Sequence, residues 1–151
     1  MQGPSEHRYI RERKRGYLDA LRDAGVEPRE DWILEMPSLS YESVGAAISM
    51  LLQDKPPVDA LITTSDLYGM AAIKAARRCG LQLPHDLYIA TFDNSFISVL
   101  SDPSMTSVSQ PLYQMGYTAC EMLVHRLKDP SYAANSMTLD AEMIIRESTS
   151  E

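Results

Sequence analysis

The sequence is poor in features that mark membrane, secreted and disulfide-rich proteins. It has no apolar run close to the roughly 18 residues of a membrane-spanning helix, which predicts no membrane span. Its first residues, through Gly16, contain no apolar segment of a secretory leader. Only two cysteines occur, Cys79 and Cys120. Both fall on apolar faces of predicted helices, so we expect buried thiols in a cytoplasmic protein rather than a disulfide.

Positive charge and catalytic motifs are also scarce. The chain has 14 Lys and Arg against 21 Asp and Glu, a formal net charge of −7. An acidic surface repels phosphate backbones, so this chain alone is not expected to bind nucleic acid. There is no Gly-rich phosphate loop, no GxSxG and no CxxC, and the three histidines lack metal-ligand spacing. We therefore predict no catalytic, cofactor or metal site.

What the sequence does contain is an alternation of helical and strand patterns. With 151 residues and 44% hydrophobic content, it is long enough for one domain with a sizeable core. Most of the strand patterns are continuous apolar runs, which is typical of a parallel sheet covered on both faces. We predict a doubly wound, mostly parallel α/β fold. Its predicted helices span 6–24, 41–53, 66–79 and 112–127, and its predicted strands span 31–36, 59–64, 87–92, 105–110 and 139–145.

Polar side chains follow two of these predicted strands. Strand 59–64 leads into Ser65 and Asp66, and strand 87–92 leads into Asp93. Ligands of open parallel sheets bind outside the carboxyl ends of the strands, so both clusters point to one crevice. Other interpretations remain open at this point. Asp93 suits a turn, Asp66 suits a helix cap, and the basic residues around Arg13 suit a solvated helix face.

Four segments taken together resemble a known family. They are residues 11–25 (RERKRGYLDALRDAG), 56–94, 103–127 (PSMTSVSQPLYQMGYTACEMLVHRL) and 143–148 (MIIRES). Their order and spacing resemble the effector-binding core of the lactose/galactose repressor (LacI/GalR-type) family of bacterial transcription regulators. The resemblance implies a sensor related to periplasmic sugar-binding proteins, with a ligand cleft between two similar α/β subdomains.

The resemblance also implies a division of the chain. Residues 1–110 and 136–151 would form the C-terminal subdomain, incomplete at its N-terminus. Residues 111–135 would be a crossover helix that belongs to the N-terminal subdomain, most of which is missing. The helix-turn-helix headpiece that binds operator DNA in complete members is absent from these residues. Because a central strand is missing and the crossover helix lacks its subdomain, we expect the isolated chain to form homodimers.

The family pattern suggests which side chains contact the ligand. Arg13 resembles the family's hydroxyl-binding arginine, whose planar guanidinium donates to two vicinal oxygens. Asp93 occupies the place of the acceptor carboxylate. Ser65 stands where an asparagine is common. Ser40 lies near the place of a stacking aromatic, for which only Tyr41 could substitute. Both departures affect the expected identity of the ligand. The expected ligand-binding residues are Arg13, Ser65, Asp93, Asp66, Ser40 and Tyr9.

The function expected from these residues is effector sensing. The domain would bind a small polar ligand, a sugar or sugar derivative, without catalysis or cofactor, and DNA only through a headpiece. One alternative is a stand-alone doubly wound enzyme or phospho-acceptor domain that uses Asp66 or Asp93. Another is a fragment of a periplasmic sugar-binding protein.

Overall fold

Helices and strands alternate along most of the chain. The computed structural model describes residues 8–36, 40–53, 58–133 and 135–150. Residues 6 and 7 of the first predicted helix lie outside the described residues. The helices of the described part are α1 (Arg8–Asp23), α2 (Tyr41–Gln53), α3 (Asp66–Arg78), α4 (Phe96–Leu100) and α5 (Leu112–Lys128), and its strands are β1 (Ala60–Ile62), β2 (Tyr88–Phe92), β3 (Thr106–Ser109) and β4 (Glu142–Ile144).

The four strands form one sheet in the order β1-β2-β3-β4. β1 pairs with β2 and β2 pairs with β3 in parallel, while β3 pairs with β4 antiparallel. The predicted mostly parallel α/β fold is therefore confirmed. Because β1, β2 and β3 run in the same direction, the residues that follow β1 and β2 come to the same edge of the sheet.

The core lies between the sheet and the helices α2 and α3. Val44 and Ile48 of α2 are fully buried, as is Ile89 of β2. Most buried residues of α3 are glycine or alanine, which lets the helix lie close to the strands. A β-carbon at Gly69 would overlap the Thr91 methyl group and stand 2.6 Å from the sulfur of Met105. This close approach places the N-terminus of α3 against the end of β2.

The strand predicted over 31–36 is wrong. A 3-10 helix occupies Glu30–Trp32, and only Glu35 takes part in a single bridge. The guanidinium of Arg29 donates to both carboxylate oxygens of Asp31, at 3.0 and 2.5 Å, and lies over the ring of Trp32. These local contacts favour a turned backbone over an extended one.

Helix α5 stands apart from the core. No residue of α5 is buried, and the exposed apolar side chains include Leu123 at 58% and Leu127 at 74%. The prediction of a buried thiol is therefore wrong for Cys120, which is exposed, and Cys79 is only partly buried. An apolar stripe specifies which face a helix can bury, but a partner must be present to cover it.

Within the described residues, no helix is long and apolar enough to cross a membrane.

Candidate ligand-binding site

The turn that follows β2 places Asp93 at the sheet edge in an unusual backbone conformation. Asp93 has a φ of 104° and Asn94 a φ of 50°. Non-glycine residues rarely have positive φ, although Asp and Asn have it more often than most. The amide of Asp93 donates to the carbonyl of Val108 at 3.0 Å, which ties the turn to the neighbouring strand. The side chain of Asp93 stays 41% exposed.

Arg13 of α1 reaches the same edge from an adjoining helix. Its Nη1 donates to the carbonyl of Thr64, just after β1, at 2.7 Å. Its Nη2 lies 3.8 Å from Oδ1 of Asp93. The guanidinium lies over the rings of Phe92, at 4.1 Å, and Tyr9, at 5.1 Å. Arg13 thus joins the ends of β1 and β2 while stacked on two aromatic rings, a geometry that an arginine suits better than a lysine.

The Arg13–Asp93 pair is partly withdrawn from water. Burial raises the pKa of the Asp93 carboxyl, and the charge of Arg13 opposes that rise. Burial also lowers the pKa of Arg13, against the attraction of Asp93. The amide of Gln110 donates to Oδ1 of Asp93 at 3.1 Å. Partly desolvated groups form stronger hydrogen bonds than fully hydrated ones, so the pair is suited to a hydroxyl-bearing ligand.

Asp66 is buried, whereas the other expected ligand contacts are exposed or half-buried. Its side chain is 1% exposed, and both carboxylate oxygens accept hydrogen bonds from neighbouring residues. It therefore presents no oxygen to a ligand in this conformation. The expectation that Asp66 touches the ligand is corrected on this geometry. It does not cap its own helix with its side chain either, since the carboxylate turns to β2 and β3.

Ser65 is adjacent in sequence to the residue that binds Arg13, whereas Ser40 caps helix α2. Ser65 follows Thr64, is half-buried, and accepts backbone hydrogen bonds through its carbonyl from Tyr68 and Gly69. It is therefore next to the carbonyl that binds Arg13. Ser40 is exposed and accepts a hydrogen bond from the amide of Ser43 at 3.1 Å, as an N-cap of α2.

Three side chains of the site were not expected from the sequence. Phe92 supports Arg13, Gln110 binds Asp93, and Arg146 binds the turn from the far end of the chain. Nη2 of Arg146 donates to Oδ1 of Asn94 at 2.6 Å, and Nη1 donates to the carbonyl of Met105 at 2.7 Å. An aromatic residue directly before a strand-end carboxylate was the available signal for Phe92. Nothing local pointed to Arg146, which is 52 residues from Asn94.

The described residues contain no group of three or more His, Cys, Asp or Glu side chains that could hold a metal ion. The site consists of the guanidinium groups of Arg13 and Arg146, the carboxylate of Asp93, two aromatic rings and uncharged polar groups. Such a set binds a polar organic molecule by hydrogen bonding and stacking.

Comparisons with known proteins identify the family to which this domain is related. Residues 1–149 match the periplasmic binding protein-like domain family. The chain is 34% identical over 137 residues to the HTH-type transcriptional regulator CelR of Thermobifida fusca, covering 91% of this chain and 40% of that protein. It is 33% identical over 147 residues to the HTH-type transcriptional repressor CytR of Escherichia coli (strain K12), covering 97% of this chain and 43% of that repressor.

Solved structures show the same relationship. The complex of the transcriptional regulator CelR with cellobiose matches with a TM-score of 0.89 at 34% identity, over 98% of this chain and 45% of that one. A LacI-type regulator from Bacillus cereus subsp. cytotoxis matches with a TM-score of 0.91 at 28% identity, over 99% and 52%. The chain thus spans less than half the length of these curated relatives. It belongs to the LacI family of transcription regulators, and its residues 1–149 correspond to the periplasmic binding protein-like domain.

Proposed function

We propose that this chain is part of an effector sensor that binds a small hydroxylated ligand, a sugar or sugar derivative, between Arg13 and Asp93. The observation that carries the proposal is the meeting of these two side chains, 3.8 Å apart, at the carboxyl ends of β1 and β2. Arg13 would donate to ligand hydroxyl oxygens and Asp93 would accept their protons. The rings of Phe92 and Tyr9, which hold the guanidinium, add the apolar surface that sugar faces pack against.

Ser65 is expected to contact the ligand more directly than Ser40. Ser65 is next to the Thr64 carbonyl that accepts from Arg13, which supports a contact with the ligand. Ser40 is a cap of α2, so it would reach the ligand only from the rim of the site. The cellobiose bound to the similar regulator CelR supports a sugar as the class of ligand.

We also propose that the ligand lies between two subdomains. Residues 1–110 and 136–151 would form one subdomain, and residues 111–135 would cross to the other. The lack of any buried residue on α5 supports this division, because the apolar stripe of a helix is normally covered. In a complete regulator, a ligand that binds the two subdomains more tightly in one relative arrangement would shift the population toward it and alter DNA binding through a headpiece.

We further propose that the chain binds its ligand without converting it and associates into homodimers. Arg13 and Asp93 each serve as hydrogen-bonding groups, and no proton transfer is required of them. Exposed apolar side chains on α4 and α5, such as Phe96 at 72% and Leu127 at 74%, support self-association.

Calorimetric titration of the 151-residue chain with a panel of cellobiose, glucose, galactose and ribose tests the binding proposal. Arg13→Lys should lower the affinity for a bound sugar by roughly tenfold to hundredfold, because a charge-assisted bidentate contact contributes about 1.5–3 kcal/mol. Arg22→Lys on the same helix is the matched control, since Arg22 is exposed and paired with Asp19. Equal binding by both variants would contradict the site, and degradation of the sugar during the titration would contradict binding without turnover.

A further inference from the structure

Asp66 is a buried carboxylate, and no cationic side chain among the described residues donates a hydrogen bond to it. Four neutral donors surround it: the hydroxyls of Thr91 and Ser107 on Oδ1, and the amide and hydroxyl of Ser95 on Oδ2. It is also the first residue of α3, where the helix dipole favours negative charge. Both oxygens of the buried carboxylate therefore have hydrogen-bond partners within the protein itself. A carboxylate held by so many elements restricts the position of every group that donates to it.

One of these donor residues, Ser95, belongs to the turn that carries Asp93, and Ser107 of β3 contacts that turn. The amide of Ser95 lies 2.6 Å and its hydroxyl 2.8 Å from Oδ2 of Asp66. The hydroxyl of Ser107 donates to Asp66 at 2.8 Å and accepts from the amide of Asn94 at 2.9 Å. Two of the three residues of the turn 93–95 are therefore tied to Asp66, one directly and one through Ser107.

The turn needs such support because its backbone is in an unfavourable conformation. Positive φ values at two successive non-glycine residues, Asp93 and Asn94, persist only where surrounding contacts over-determine them. The conformation at Asp93 sets where its carboxylate lies relative to Arg13. A relaxed turn would therefore separate the two groups of the proposed ligand site.

We propose that Asp66 is a positioning residue, which holds the turn 93–95 so that Asp93 faces Arg13. Its importance for ligand binding rests on the proposed function, whereas its effect on the turn does not. The carboxylate lies outside the contact surface and acts through Ser95 and Ser107.

Three variants remove different parts of this arrangement. Asp66→Ala removes every acceptor and leaves the Ser95 amide without a partner. Asp66→Asn keeps one oxygen that can still accept from that amide, so it should restore part of the effect. Ser107→Ala removes the hydroxyl that links Asp66 to Asn94 and leaves both Ser95 donors in place. Val44→Ala is the control, because it removes buried methyl groups of α2 and none of the hydrogen bonds around Asp66.

Nuclear magnetic resonance of the 151-residue chain gives a readout that lost stability alone would not change. We expect Asp66→Ala and Ser107→Ala to alter the amide–Hα couplings of Asp93 and Asn94, which report φ. The side-chain amide of Gln110, which binds Asp93 at 3.1 Å, should shift in the same variants. Asp66→Asn should show smaller changes than Asp66→Ala, and Val44→Ala should show none.

Unchanged couplings and an unchanged Gln110 signal in any folded variant that lacks the links would overturn the proposal, as would equal changes in Val44→Ala. If Asp66→Ala does not fold, Ser107→Ala decides. Cellobiose titration separates the two ideas. If the wild-type chain binds cellobiose, Ser107→Ala should lower the affinity by roughly tenfold, as for other groups that orient a binding residue. If it binds no sugar, the proposal of sugar binding by this chain alone fails, while the couplings still test the role of Asp66.

Discussion

Gly69 is the residue at which the packing of α3 against the sheet can be tested most directly. In Gly69→Ala, the new methyl group would overlap the Thr91 methyl and approach the sulfur of Met105 to 2.6 Å. Met105 is flexible and can move, but Thr91 is β-branched, fully enclosed in β2 and bound to Asp66. We therefore expect an overpacking cost near the upper end of the usual range, about 3 kcal/mol. Alanine's better helix propensity offsets about 1 kcal/mol of this.

The expected net loss is about 2 kcal/mol of unfolding free energy, which corresponds to a fall of roughly 4–8 °C in Tm for a chain of this size. Urea and thermal unfolding followed by circular dichroism measure both quantities. Gly45→Ala in α2 is the matched control, because nothing lies within 4 Å of its β-carbon position. That variant should gain up to about 1 kcal/mol. If Gly69→Ala is as stable as Gly45→Ala, α3 does not lie as close to β2 as described.

Two further predictions concern charge and association. Burial raises the pKa of Asp93 in the folded chain. Between the ordinary and the raised pKa, the folded chain therefore binds more protons than the unfolded chain. As pH rises through this window, the contribution of Asp93 to the unfolding free energy falls. The unfolding free energy of the wild type minus that of Asp93→Asn, measured from about pH 3 to pH 7, should therefore decrease as pH rises. An increase with pH would refute burial as the dominant cause of the pKa shift. Replacing both Leu123 and Leu127 with Lys should convert a homodimer to a monomer in light scattering, and a wild-type chain that is already monomeric at micromolar concentration would contradict the association.

The helical and strand patterns predicted most of the fold because they depend on local periodicity. The apolar stripe of α2 and the continuous run of β2 each matched one element of the structure. The segment 31–36 failed because its composition suits a strand while the pairing of Arg29 with Asp31 favours a turn. Burial failed for Cys120 because periodicity shows which face of a helix is apolar and not whether anything covers it.

The sequence by itself placed Ser65 and Asp93 after strands whose ends meet at one edge of a parallel sheet, since strand direction follows from the alternation of strands and helices. Arg13 was expected there only from the family resemblance. Only the tertiary structure decided that Asp66 lies beneath the site and that Arg146 and Gln110 hold the turn and its carboxylate. Those contacts join residues between 17 and 52 positions apart. Their geometry depends on how closely α3 approaches β2 and on the positive φ of Asp93, and both are properties of packing that no local pattern contains.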